Sequence, residues 1–230
     1  MVTVVIPVRE TAAPAPGLLD ALLAEGADVV VAAAAGTGED VLAAYRAAGA
    51  RVLVGGGPRG ERLREAARGA RGEAIVFLHA DTTLSAGWRL AVERAVAGGA
   101  VAGAFRLAFS GGSRRMACIA FWANRRTALT RVPYGDQAPF VSTGAYERVG
   151  GHRPWPLLED VDLFRRLRRV GPIALLPLAA RTSPRRYLEG GVLRTALSNR
   201  LLVLRWLLGA SPEELARGYR RAVPPTVRRA

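Results

Sequence analysis

The sequence predicts an α/β fold, a mostly parallel central sheet flanked by helices, followed by a C-terminal helical appendage. Three observations carry this. Short β-branched or apolar runs alternate with helical patterns through the first half, which implies right-handed βαβ crossovers and a parallel sheet. The run Ala74-Ile75-Val76-Phe77-Leu78 stops abruptly at His79-Ala80-Asp81-Thr82, as a buried strand does where it presents a polar group to the crevice beyond the sheet. Beyond Gly190 only helical periodicity remains. With 230 residues, half of them apolar, the chain can bury one substantial core, so 1–189 is expected to be the sheet domain and 190–230 the appendage.

Taken in order, strands are expected at Val2–Ile6, Asp28–Val31, Arg51–Val54 and Ala74–Leu78, with helices at Gly17–Leu23, Glu39–Ala48 and Glu61–Arg71 between them. A further helix begins near Ser85. The second half predicts a strand over Ala102–Phe109, an amphipathic helix over Arg114–Thr130, a short strand at Pro139–Ser142 and a helix over Asp160–Arg169 closed by Gly171-Pro172. Ile173–Leu176 makes a last strand. Val192–Leu208 and Pro212–Arg221 are the appended helices, the second opened by Ser211 as N-cap and acids in its first turn.

The formal charge of +14 comes entirely from arginine, since the 33 basic residues include no lysine. Such a chain is drawn to nucleotides, anionic lipid and nucleic acid alike, so the sign alone names no partner. Specific nucleic-acid binding is disfavoured because the aromatic residues do not interleave with the arginines as a stacking platform requires. Cys118 stands alone, which excludes a disulfide framework and a thiolate metal site; beside Met116 and Ile119 it reads as a buried structural thiol. No apolar run is long enough to span a bilayer and no signal-peptide pattern opens the chain, so a cytoplasmic location is expected.

Each candidate site has two readings. Asp81 is either the cap of the next helix or a functional carboxylate. Gly55-Gly56-Gly57-Pro58-Arg59-Gly60 has the G-x-G-x-x-G spacing, yet it falls in the third βα turn and Pro58 removes a donor, so a glycine-rich surface turn near a phosphate competes with a dinucleotide site. Glu159, Asp160 and Asp162 open a helix, where the dipole favours acids. Three acids in four positions exceed what capping needs and supply a candidate general base. Tyr134-Gly135-Asp136-Gln137 reads as a polar turn, and Arg181-Thr182-Ser183-Pro184-Arg185-Arg186-Tyr187 as a solvated basic loop or a diphosphate clamp. His79 and His152 are too far apart in sequence to make a metal-ligand pattern. The leucines and arginines of 192–208 either cover the domain, the favoured reading, or rest on an anionic membrane surface.

In order, Ile6-Pro7-Val8-Arg9-Glu10, Phe77-Leu78-His79-Ala80-Asp81, Gly103-Ala104-Phe105, Tyr134-Gly135-Asp136-Gln137, Gly150-Gly151 and Glu159-Asp160-Val161 resemble the family-2 glycosyltransferases. The nearest likeness is to the small bacterial subgroup called radical-SAM and selenodomain-associated transferase 2. The resemblance implies a GT-A fold and inverting, divalent-metal-dependent transfer of a sugar from a nucleotide diphosphate donor to an acceptor hydroxyl, on a lipid or a small molecule. Asp81 matches the last acid of the family's D-x-D element and would ligate Mg²⁺ or Mn²⁺, with His79 in place of the first acid. Asp160 would take the acceptor proton, and Glu159 would orient it or bind the acceptor. Together these readings gather Pro7, Glu10, Arg59, His79, Asp136 and Gln137 around the donor, with Arg185 and Arg186 on its diphosphate. The chain departs from the family after the second strand, where Ala32-Ala33-Ala34-Ala35 replaces the usual acidic nucleoside-binding turn unless Glu39 or Asp40 substitutes. Two other readings stand: a catalytically lapsed nucleotide-binding module on the same fold, and a dinucleotide-dependent oxidoreductase built on Gly55–Gly60.

Overall fold

A computed structural model describes residues 1–9, 14–111 and 113–222 of the chain. Glu10, expected near the donor, lies outside the described residues. β1 (Val2–Val8), β2 (Asp28–Ala34), β3 (Arg51–Gly55) and β4 (Ala74–Phe77) form a parallel block in the order β3-β2-β1-β4. α1 (Leu18–Ala24), α2 (Glu39–Ala47) and α3 (Arg59–Arg68) are its crossovers. The alternation of side chains along each strand sends Val4, Ile6, Val29 and Val76 into one apolar cluster, and Val5, Val30, Ile75 and Phe77 into another on the opposite face. Burial on both faces is why β1, β2 and β4 read as continuous apolar runs; β3, at the sheet edge, leaves Leu53 and Val54 exposed.

The second half adds β5 (Thr82–Leu84), α4 (Trp88–Ala97), β6 (Ala102–Phe109), α5 (Arg114–Thr130), β7 (Phe140–Ser142), α6 (Thr143–Arg148), α7 (Glu159–Leu167) and β8 (Ile173–Thr182). It closes with α8 (Arg185–Gly190), α9 (Val192–Leu207) and α10 (Pro212–Ala222). The sheet continues past β4 as β7-β6-β8-β5; β7 runs antiparallel to β4 and β6, while β6 and β8 are parallel. α7 is anchored by Leu163, Phe164 and Leu167, all buried in the second cluster. At about 2 kcal/mol per buried apolar side chain, that anchorage fixes the helix whose first turn carries the acids. Leu202, Val203 and Trp206 of α9 and Leu215 of α10 join the same cluster, so both C-terminal helices are seated on the sheet domain.

Several expectations are corrected. The helix foreseen near Ser85 starts at Trp88, because Thr82–Leu84 instead pairs with β8. β8 runs to Thr182 rather than Leu176, taking Arg181 and Thr182 out of the supposed basic loop. Pro177 falls where the β6–β8 register shifts, as a residue without an N–H donor must. Cys118 is exposed rather than buried, because α5 turns Met116, Ala120 and Thr127 inward and Cys118 outward. α9 does cover the domain, but through Leu202, Val203 and Trp206; Leu193, Leu197, Leu201 and Leu204, and Leu208 just past its end, face solvent instead.

Candidate active site

The carboxyl ends of parallel strands are where an open α/β sheet binds ligands. Here Arg9 follows β1 and His79 follows β4, and the 3-10 turn Gly135–Gln137 and the start of α7 lie against them. The resulting cleft of about 370 Å³ is lined by Arg9, Arg59, His79, Tyr134, Asp136, Glu159 and Asp160. Arg186 of α8, Asn199 and Leu202 of α9 and Tyr219 of α10 complete it.

Asp160 stands in the first turn of α7, half-buried, and its Oδ2 accepts a 2.6 Å hydrogen bond from the Gly135 amide. Leu158, just before it, is buried and held at φ 63°, a left-handed conformation uncommon outside glycine. Such strain persists only where the surroundings impose it, and here it sets the direction in which Glu159 and Asp160 leave the loop. Gly135 permits a close approach: a Cβ there would lie 2.8 Å from His79 Nε2 and 3.3 Å from Asp160 Oδ2.

Arg59, at the start of α3, links two other site residues. It forms an ion pair with buried Glu159 and places Nη2 3.0 Å from His79 Nε2. A guanidinium only donates, so His79 Nε2 is the acceptor and the ring is neutral. Burial, with the charges of Arg59 and Arg186, pushes the His79 pKa down to about 3. Its lone pair on this side is therefore held by Arg59. Asp136 contributes a second carboxyl whose Oδ1 is sealed from solvent without a hydrogen-bond partner. Burial raises its pKa; Arg126 opposes this and Asp160 adds to it.

Other expected residues lie apart from the cleft lining. Gln137 is buried and holds the scaffold, its Oε1 accepting from the Thr127 hydroxyl at 2.6 Å and from Arg126 at 3.1 Å. Pro7 lies within β1, in register with Ala32. Arg185 is exposed at the start of α8, and only its neighbour Arg186 reaches the cleft, donating to Asn199 at 2.9 Å. Asp162, the third acid, pairs with Arg166 one turn along α7. In the Gly55–Gly60 turn, Gly60 donates to Trp155 O at 3.0 Å, and a Cβ on it would sit 2.0 Å from Arg153 O. Glycine serves there to admit the 153–155 backbone. The cleft also contains residues the sequence reading had not assigned, namely Arg9, Tyr134, Asn199 and Tyr219. Arg9 stood inside a motif already noted, and Asn199 is a polar residue on the inward face of α9.

Asp81 lies in the turn between β4 and β5, exposed, its Oδ1 3.3 Å from the Thr82 hydroxyl and 3.5 Å from that of Thr182. Among the described residues no group of three His, Cys, Asp or Glu side chains is placed to hold a metal ion. One carboxylate among hydroxyls is a hard-oxygen set, which fits a cation whose remaining ligands are phosphate oxygens and water.

No protein-family model and no curated protein sequence matches the chain. Solved structures do. Staphylococcus aureus TarS 1–349 in complex with UDP matches with a TM-score of 0.58 and 17% identity, over 80% of this chain and 61% of that one. The mannosyltransferase PcManGT from Pyrobaculum calidifontis, in complex with GDP-Man and Mn²⁺, matches with a TM-score of 0.64 and 18% identity, over 91% of this chain and 65% of that one. Glucosyl-3-phosphoglycerate synthase from Mycobacterium tuberculosis, in complex with phosphoglyceric acid, gives 0.54 and 20%, over 87% and 78%. The chain thus spans less than two thirds of the length of the first two. The fold is that of the GT-A glycosyltransferases.

Proposed function

We propose that this chain is a glycosyltransferase that moves a sugar from a nucleotide diphosphate donor to an acceptor hydroxyl with inversion at the anomeric carbon. The observation that carries the reading is the convergence of Asp160, His79 and the Gly135 amide in one cleft at the ends of β1 and β4. Asp160 is the base: of the three acids around the start of α7, Glu159 is engaged by Arg59 and Asp162 by Arg166, and Asp160 is the one that both lines the cleft and is free of an ion pair among the described residues. As the acceptor oxygen bonds to the anomeric carbon and the bond to the diphosphate breaks, the hydroxyl proton passes to Asp160. Glu159 positions Arg59, and through it His79, rather than taking the proton itself. Arg9 and Arg186 offset charge on the departing diphosphate. Asp81 would hold Mg²⁺ or Mn²⁺, which supplies further charge neutralisation to the diphosphate.

The alanines in place of the usual nucleoside-binding acid, with Ala32 and Ala33 fully buried, favour a second reading in which nucleotide is bound without transfer. Two measurements separate them. Titration with nucleoside diphosphates, with and without Mn²⁺, should show metal-enhanced binding that Asp81→Ala removes; metal-independent binding unchanged by that substitution would end the role of Asp81. Turnover of a panel of sugar nucleotides should fall by about 10²–10⁴-fold in Asp160→Asn. Undiminished turnover in that variant refutes the assignment of the base, and wild-type binding without turnover of any donor supports the lapsed module.

A further inference from the structure

Two helices expose apolar faces on one region of the surface. Along α9, Leu193, Leu197, Leu201 and Leu204, with Leu208 at its C-cap, recur at helical spacing, Leu193 being 83% and Leu208 79% exposed. On α5, Phe121, Trp122 and Leu129 are exposed, and the Phe121 and Trp122 rings meet edge to face at 5.6 Å. The faces adjoin, because Cys118 and Ile119 of α5 and Val192 and Leu193 at the start of α9 line one apolar groove of about 590 Å³. Isolated exposed leucines are ordinary; a contiguous apolar face spread over two helices is an interaction surface.

The charges around it identify the occupant. At 100° per residue, Arg200 borders one side of the α9 stripe and Arg194 and Arg205 the other, while Arg114, Arg115 and Arg125 belong to α5. Neither helix contains an aspartate or glutamate. A second copy docked through the same face would set these arginines against each other with no acid to pair them. An anionic bilayer answers both features, accepting leucine and tryptophan into its acyl boundary and arginine at its headgroups. No described helix is long and apolar enough to cross a membrane, so the contact is in the plane of the surface.

We propose that the α5–α9 face docks on anionic phospholipid as a peripheral membrane surface. The opposite side of α9 supplies Asn199, Leu202 and Val203 to the cleft, so docking sets that cleft beside the lipid. The proposal stands independently of the transfer chemistry and needs no donor to be tested.

The test is flotation of the full chain with vesicles of phosphatidylcholine alone and with one third phosphatidylglycerol. Leu197→Ser combined with Leu204→Ser leaves the charge of the chain untouched and removes only apolar contact. Binding is expected to the anionic vesicles, with brominated acyl chains quenching Trp122, and a loss of about tenfold or more in the double variant while its circular dichroism is unchanged. Trp122→Phe assigns the quenching. Anionic binding equal in the wild type and the double variant would show attraction by net charge alone and overturn the proposal. So would absence of quenching, or a wild-type dimer in sedimentation that the same two substitutions dissociate.

Discussion

Gly135→Ala puts a methyl group at the point where the two halves of the candidate site meet. Its Cβ would fall 2.8 Å from His79 Nε2 and 3.3 Å from Asp160 Oδ2. Carbon contacts relax at about 3.5 Å or beyond, so the imidazole must yield by roughly 0.7 Å. It has little room, since its Nε2 meets an Arg59 that is itself ion-paired with buried Glu159. Overpacking of this kind costs about 1–3 kcal/mol. Displacing Asp160 from the Gly135 amide weakens a hydrogen bond to a charged group, worth about 1.5–3 kcal/mol in full. A net loss of about 2–4 kcal/mol is expected, which in a domain of this size lowers Tm by about 4–16 °C. Gly144→Ala is the control, because it lies exposed in α6 with nothing within 4 Å of its Cβ. It should gain about 0.5–1 kcal/mol from lost backbone freedom. Calorimetric melts of the three proteins at neutral pH decide the matter. If Gly135→Ala melts with the wild type, or rises with Gly144→Ala, the close packing of turn, histidine and aspartate is refuted.

Arg59→Met leaves Glu159 as a buried, unpaired carboxylate and should destabilise the chain by about 3–5 kcal/mol in urea unfolding; adding Glu159→Gln should recover much of it, and an equal loss in the double variant would count against the ion pair. His152 donates its backbone amide to the Tyr146 hydroxyl, which also shares a 2.8 Å hydrogen bond with its Nδ1, while burial holds its pKa well below the ordinary value. The stability this gives is fully present above pH about 6.5 and is lost as pH falls below it, by up to about 1.4 kcal/mol per unit. His152→Gln should therefore flatten the acid limb of the stability profile, and parallel limbs would contradict it. Cys118, exposed on α5, should react with a thiol reagent in the native protein as fast as in denaturant; reaction only after unfolding would place it inside.

Within the parallel block β1, β2 and β4 were legible because they are buried on both faces, which writes a continuous apolar run into the sequence, whereas β3, at the sheet edge with Leu53 and Val54 exposed, was legible from its short apolar run between helical patterns. β5 and α8 were not, for a physical reason. Thr82–Leu84 is a strand only because Ala180–Thr182 lies beside it, and no local pattern of three residues records a partner so distant along the chain. Cys118 was misread because amphipathic reasoning assigns apolar neighbours to the core, whereas the outward face of α5 also carries apolar side chains, Phe121, Trp122 and Leu129, among its arginines. α9 misled in the same way. In the site, the excess of acids at 159–162 was visible as an excess, but which acid does what depends on Arg59, contributed from α3, and so only the fold could divide them.

That division bears on the charge within the cleft. Its lining holds three carboxyls, Asp136, Glu159 and Asp160, against three guanidinium groups, Arg9, Arg59 and Arg186. Arg59 is already matched by Glu159, and the charges of Asp136 and Asp160 in the same lining oppose those of Arg9 and Arg186, so these two guanidinium groups can offset only part of a diphosphate's charge. A diphosphate entering bare would leave anions unmatched in a partly desolvated site, where that costs most. A donor carrying its own divalent cation would not. The single carboxylate of Asp81, outside the cleft lining and beside two threonine hydroxyls, is the kind of partial ligand set that such a cation can accept without being bound tightly in advance. Nucleoside diphosphate affinity should accordingly rise with Mn²⁺, and the cation should bind weakly until the diphosphate is present; tight binding of Mn²⁺ alone would contradict this account of the charge.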